Sequence, residues 1–173
     1  MASQPLFNPA DFEDAKIVAD IEVIRRYNWQ RFDMEHLTAI VYDEPEVLCV
    51  GYKDTSDEEF WVPGHMPGMP LMPGVIQCEA AAQLCNYHVG RHKLMGDMTI
   101  GFGGMDEIRF REPVLPGDRL VIGVKLEKIR KGRMSIARFQ GYANNKLAVE
   151  GRIIGVPLPV EALKEHIARR QAE

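Results

Sequence analysis

Apolar positions along the chain change their period several times, and each change marks an element. The stretches 37–43 (LTAIVYD) and 46–53 (EVLCVGYK) are rich in β-branched and aromatic residues and flank Glu44-Pro45, which predicts a β-hairpin. From 119 to 129, Leu120, Ile122, Val124 and Leu126 alternate with Val121, Gly123, Lys125 and Glu127, the period of a strand. A turn at Arg130-Lys131-Gly132 leads into a strand over 133–143. A second turn at Asn144-Asn145 leads into a last strand that runs through Leu147, Val149 and Ile153 to Val156. Pro116-Gly117-Asp118 separates 119–129 from strand material at 105–114. Between the hairpin and this meander lies 74–89, GVIQCEAAAQLCNYHV, long enough for about four helical turns. That helix is apolar on all sides, so it must be buried.

The flanks are plainer. Residues 1–19 read as an N-terminal extension with at most a short helix, after which Asp20 can cap a brief helix IEVIRR. Residues 157–173 read as a C-terminal extension, where VEALKEHIARRQAE forms an amphipathic surface helix after Pro159. The remainder, 20–156, is one domain of α+β class: an antiparallel sheet curved around one long central helix. A sheet wrapping a single helix commonly completes its core against a copy of itself, so a homodimer is expected.

Composition changes this picture little. Apolar residues make up 46% and charged residues 27%, normal for a globular protein, and the net charge of −4 argues against non-specific nucleic-acid binding by the whole chain. No apolar run is long enough to span a bilayer, and the N-terminus lacks the apolar core of a signal peptide. Cys49, Cys78 and Cys85 are odd in number and lack CxxC spacing. Cys78 and Cys85 stand two turns apart on one helix, too far to bridge. Free buried thiols in a reducing, cytoplasmic setting are expected. The acidic run Asp54–Glu59 is expected to be a solvated turn.

The chemistry gathers at 63–79. Pro63 to Pro73 holds four prolines and two glycines in eleven residues, which no helix or strand interior tolerates. From Met66 to Gly90 only Glu79 carries a formal charge at neutral pH. A carboxylate on a buried helix is costly unless it is paired, hydrogen-bonded or kept protonated. His65, in the stiff turn that precedes the helix, is by itself better explained as a surface-loop histidine. With Glu79, however, it can divide the roles of base and acid. The helix N-terminus at Gly74 offers unpaired N–H groups to a carbonyl oxygen that gains charge. The trio suits proton abstraction next to a carbonyl with departure of a β-hydroxyl.

The run GHMPGMPLMPGVIQCEAAAQ resembles the signature of the (3R)-hydroxyacyl-acyl carrier protein dehydratases of bacterial fatty-acid synthesis, which have a hot-dog fold. It matches the pattern G-H-F-P-G-x-P-x-M-P-G-V-x-Q-x-E-A-x-A-Q at Gly64, His65, Pro67, Gly68, Pro70, Met72, Pro73, Gly74, Val75, Gln77, Glu79, Ala80, Ala82 and Gln83. The resemblance continues through Ile108-Arg109-Phe110-Arg111, Pro113-Val114 and Pro116-Gly117-Asp118. It implies a hydro-lyase without metal or organic cofactor, in which His65 removes the α-proton and Glu79 of the other subunit helps the hydroxyl leave. The Gly74 N–H would hold the thioester carbonyl, with Met66, Met72, Val75 and Gln83 at the substrate site. Plain core is an equal reading for any one of Met66, Met72 and Val75. It also implies an acyl carrier protein thioester as substrate and a homodimer with shared active sites, extending to a trimer of dimers. Glutamate at 79 fits the branch that only dehydrates, since the isomerising branch has aspartate there.

Several positions depart from the family. Met66 replaces a phenylalanine, Met69 and Glu112 stand where basic residues are usual, and Ile24-Arg25-Arg26-Tyr27-Asn28-Trp29 lacks the family's upstream His and Pro. A hot-dog thioesterase and a non-catalytic acyl-binding homologue therefore stay open. His88 and His92, spaced i,i+4 with Cys85 nearby, could suggest a metal, but Gly90 is expected to break the helix between them. Gly101, Gly103 and Gly104 lack the Lys-Ser/Thr of a phosphate loop and are expected in a tight turn or in backbone facing substrate. Arg109, Arg111, Arg130, Lys131 and Arg133 fit either solvated strand ends or a carrier-docking patch.

Overall fold

Six antiparallel strands curve around one buried helix in a computed structural model that describes residues 4–171. The ends of both expected extensions, residues 1–3 and 172–173, lie outside the described residues. In chain order the elements are α1 (Ile21–Ile24), β1 (Ala39–Glu44), β2 (Leu48–Asp54), α2 (Gly74–Arg91), β3 (Ile100–Phe110), β4 (Arg119–Arg130), β5 (Met134–Ala143), β6 (Lys146–Pro157) and α3 (Val160–Gln171). The sheet order is β1-β2-β4-β5-β6-β3, so the chain leaves β2 through α2, lays β3 on the far edge and returns with β4 beside β2. This is the curved α+β arrangement that the apolar pattern predicts. No helix among the described residues is long and apolar enough to cross a membrane.

Alternation along β4 explains how one sheet serves two cores. Leu120, Ile122 and Val124 are fully buried against α2, in a cluster with Leu84, Phe139 and Val149. Val121 points the other way, into a second cluster on the outer face with Val50, Tyr52 and Tyr142. Gly51 permits the close packing of helix and sheet, since a Cβ there would stand 2.9 Å from the Ala39 carbonyl oxygen and 3.1 Å from Leu84 Cδ1.

The N-terminal segment covers that outer face. Phe7 is buried over β4 and meets Phe12 and Tyr142 edge to face. Further on, Ala19 bridges Ile40 and so lines the free side of β1, while the Asp20 carboxylate caps α1 by accepting the Val23 N–H at 3.0 Å. The opposite edge, β3, has no further strand beside it among the described residues, and Phe102, Met105 and Phe110 are exposed along it.

Three local expectations need correction. Helix α2 does not break at Gly90; it runs to Arg91 with the Tyr27 ring packed beside Gly90, so tertiary contact outweighs the low helix propensity of glycine. Gly101, Gly103 and Gly104 lie inside β3, where a Cβ at Gly101 would stand 2.4 Å from Leu158 Cδ2 and one at Gly103 2.7 Å from Val156 Cγ1. Close packing of neighbours, rather than a turn, accounts for the first two of these glycines; the other expectation, backbone facing the site, is not overturned, since Gly101 lines the same cavity as Glu79. The acidic run is only partly solvated: Thr55 is buried, with its hydroxyl against the Leu115 and Asp118 carbonyls at 2.7 and 2.8 Å, and Glu59 pairs with Lys53 at 2.8 Å. The three cysteines are free and buried.

Candidate active site

The proline-rich turn fixes His65 through its backbone and its ring together. The His65 N–H donates to the Trp61 carbonyl at 2.8 Å, and the His65 carbonyl accepts the Leu71 N–H at 2.9 Å. The His65-Met66 peptide is cis. His65 Nδ1 stands 2.9 Å from the Leu71 carbonyl oxygen. A carbonyl oxygen only accepts, so Nδ1 carries the proton and Nε2 is left as the basic nitrogen. A neutral imidazole held in that tautomer is ready to take a proton.

The same turn delivers the chain to the start of α2. His65, Leu71, Met72, Gly74, Val75 and Phe110 line one groove of about 490 Å³. No side chain caps α2, so its first N–H groups and positive dipole end open onto this groove. A Cβ at Gly74 would lie 2.6 Å from the Phe110 ring, so glycine keeps that backbone accessible. Met72 lines the groove while also belonging to the core, at 1% exposure, whereas Val75 is 65% exposed. Met66 is exposed and is not among the residues that line the groove.

Glu79 sits in the second turn of α2, half-buried. Its Oε1 accepts hydrogen bonds from Gln83 Nε2 at 2.8 Å and Gln30 Nε2 at 3.2 Å. Both amides address the same oxygen, which fixes the carboxyl plane and leaves Oε2 for other partners. Gln83 is held in turn, donating to the Met34 carbonyl at 2.8 Å and accepting the His36 N–H at 3.0 Å. This is the hydrogen-bonded solution for a carboxylate on a buried helix. Glu79 lines a small cavity of about 50 Å³ with Gln30, Ala82, Ile100 and Phe102.

Within the chain, His65 and Glu79 are not brought together. The groove of His65 and the cavity of Glu79 share no lining residue. Both hollows include side chains of the uncovered strand, Phe110 at the groove and Phe102 at the cavity. Gln30, Phe110 and the Leu71 carbonyl were not legible as site residues. Gln30 lies outside every motif read in the sequence, just after the segment that departs from the family pattern, and Leu71 contributes only backbone.

The basic residues do not form one patch. Arg111 is tied to Glu150, with Nε 2.8 Å from Oε1, and Arg109 sits near it at the C-terminal end of β3. Arg130, Lys131 and Arg133 surround the β4–β5 turn, which the strand register sets level with the other end of β3. For a metal, the set that comes together is Asp43, His88 and His92, with ligand atoms all within 4.8 Å of one another. Cys85, singled out from its spacing, is not part of it.

Comparisons with known proteins place the chain by family and by fold. A family model described as a FabA-like domain matches residues 30–152. The "3-hydroxyacyl-[acyl-carrier-protein] dehydratase FabZ" of Pelotomaculum thermopropionicum is 36% identical over 135 residues, covering 78% of this chain and 96% of the relative. The protein of the same name from Polynucleobacter necessarius is 33% identical over 137 residues, covering 79% and 91%. Among solved structures, the dehydratase heterocomplex ApeI:P from Xenorhabdus doucetiae superposes with a TM-score of 0.66 at 16% identity, covering 83% of this chain and 96% of that one. The virulence protein Cj0977 from Campylobacter jejuni gives 0.61 at 15% identity, with the same coverage. At these identities the two solved structures speak to the fold alone.

Proposed function

The chain belongs to the FabA-like family, and on that premise we propose that it is a hydro-lyase acting on (3R)-hydroxyacyl-acyl carrier protein thioesters. The products are the trans-2-enoyl thioester and water, in fatty-acid synthesis. His65 Nε2 takes the α-proton, and the electron pair moves toward the thioester carbonyl. The Gly74 N–H and the positive end of α2 stabilise the charge gathered on that oxygen. The same electron pair then forms the Cα–Cβ double bond as the C–O bond breaks, and Glu79 gives its proton to the departing hydroxyl. Return of a proton from the imidazolium to the Glu79 carboxylate through solvent closes the cycle. Each proton-transfer group supplies about 10²–10⁴-fold in rate.

The observation that carries this reading is the Nδ1 contact of His65 with the Leu71 carbonyl, which leaves Nε2 basic beside an uncapped helix N-terminus. The separation of the two hollows supports a site completed across a two-fold axis, His65 of one subunit facing Glu79 of the other. The exposed apolar side chains of β3 supply a surface for that homodimer. A cytoplasmic location belongs to the same proposal and is supported by the three free cysteines.

The test is to incubate the protein with a 3-hydroxyacyl thioester while following enoyl absorbance and free thiol. Enoyl formation that falls about 10²–10⁴-fold in both His65→Ala and Glu79→Gln is expected. Thiol release in its place identifies a thioesterase, and a wild-type rate in His65→Ala contradicts the proposal.

A further inference from the structure

A second cluster of ionisable side chains lies away from the dehydratase groove, at the other end of α2. His88 and His92 are i and i+4 on that helix, so with α2 continuous through Gly90 they share one face. Asp43, at the end of β1, meets that face with a side chain only 4% exposed. His88 Nδ1 is 2.5 Å from Asp43 Oδ1 and His92 Nε2 is 3.0 Å from Asp43 Oδ2. Register places Cys49 opposite Asp43 on β2, fully buried. About 20 Å of helix separates this cluster from Gly74.

Hydrogen bonding alone does not account for the arrangement. Despite their proximity, His92 Nε2 and Asp43 Oδ2 are both buried without a hydrogen bond of acceptable geometry. Unpaired buried polar atoms are costly and uncommon. Arg91 stands nearby, but its Nε is 3.4 Å from Asp43 Oδ2 and its side chain is 41% exposed, so it can swing into solvent.

We propose that Asp43, His88 and His92 bind a divalent transition-metal ion of the zinc class, at a site separate from the dehydratase groove. Two imidazoles and one carboxylate are a donor set for such ions. Bonds of about 2.1 Å in a tetrahedral site set ligand atoms about 3.4 Å apart. The 2.5 and 3.0 Å separations reach that value by small side-chain rotations. On binding, the metal replaces the proton at His88 Nδ1, and water completes the coordination. The ion would tie β1 to the C-terminal end of α2.

The experiment titrates chelator-treated full-length protein with Co²⁺ and follows visible d–d absorption. One equivalent per chain is expected, displaced by Zn²⁺. The His92→Ala and Asp43→Asn proteins should bind at least about 100-fold more weakly, whereas His65→Ala should bind as wild type does. Asp43→Asn keeps the shape of the side chain, so folded protein is available for the comparison even where the alanine variant unfolds. Absence of saturable uptake by the wild type overturns the proposal, as does uptake that His92→Ala and Asp43→Asn leave unchanged or that His65→Ala abolishes.

Discussion

Acidification probes the packing behind Glu79. His36 is 1% exposed, neither ring nitrogen has a hydrogen-bond partner among the described residues, and its backbone N–H holds Gln83 against Glu79. Burial pushes its imidazole from the ordinary 6.5 down to about 4; the Lys53 ammonium adds to this and Glu59 partly opposes it. The unfolded chain therefore takes up a proton near pH 6.5, and the folded chain only near pH 4. Between those values the unfolded state binds more protons, so stability present above pH 6.5 is lost as pH falls toward 4. The full difference is about 3 kcal/mol, of which about 2 kcal/mol falls between pH 7.5 and pH 5. Replacing His36 by leucine removes this titration while keeping an apolar side chain of similar size. Urea denaturation of both proteins at the two pH values isolates the effect: the wild type should lose about 2 kcal/mol more than His36→Leu. Equal losses, within about 0.5 kcal/mol, would refute the reasoning.

Two further substitutions separate the support of the site from the support of the fold. Gln83→Leu leaves the Met34 carbonyl and the His36 N–H unpaired and removes the shorter of the two bonds to Glu79. It should cost about 2–3 kcal/mol in urea denaturation and slow enoyl formation by about tenfold or more, mainly in kcat. Phe7→Ala empties the aromatic cluster on the outer face, far from either hollow, and should cost about 3 kcal/mol in thermal denaturation with kcat unchanged.

The chain's periodicity announces most of this fold, and particular residues show where it stops. Alternation in 119–129 marks β4 because one face, from Leu120 to Val124, stays in the helix-side core while the other passes from buried Val121 to exposed Lys125 and Glu127. The absence of charge around Glu79 marks α2 because the helix is enclosed by the sheet. Strand β3 is harder to see: it begins at Ile100, and two of its glycines exist to admit Leu158 and Val156 rather than to turn the chain. The same limit hides the site's supports. His65 and Glu79 announce themselves by residue type and spacing, whereas Gln30 reaches Glu79 from 49 residues away and the His65 tautomer is set by a backbone carbonyl. Asp43 was invisible as a partner of His88 and His92 because the pairing spans 45 residues and depends on α2 passing through Gly90. The N-terminal segment read as an extension because Phe7 and Phe12 carry no period of their own; their order comes from the outer face of a sheet formed much later in the chain.

The most direct test of the account is complementation between two inactive chains. His65→Ala and Glu79→Gln carry their lesions in hollows that share no residue. Co-expressed with different tags and purified as the heterodimer, the pair should regain about half of the wild-type rate. One of its two symmetry-related sites then has an intact His65 from one chain and an intact Glu79 from the other. A heterodimer no more active than either variant alone would contradict a site built from two subunits.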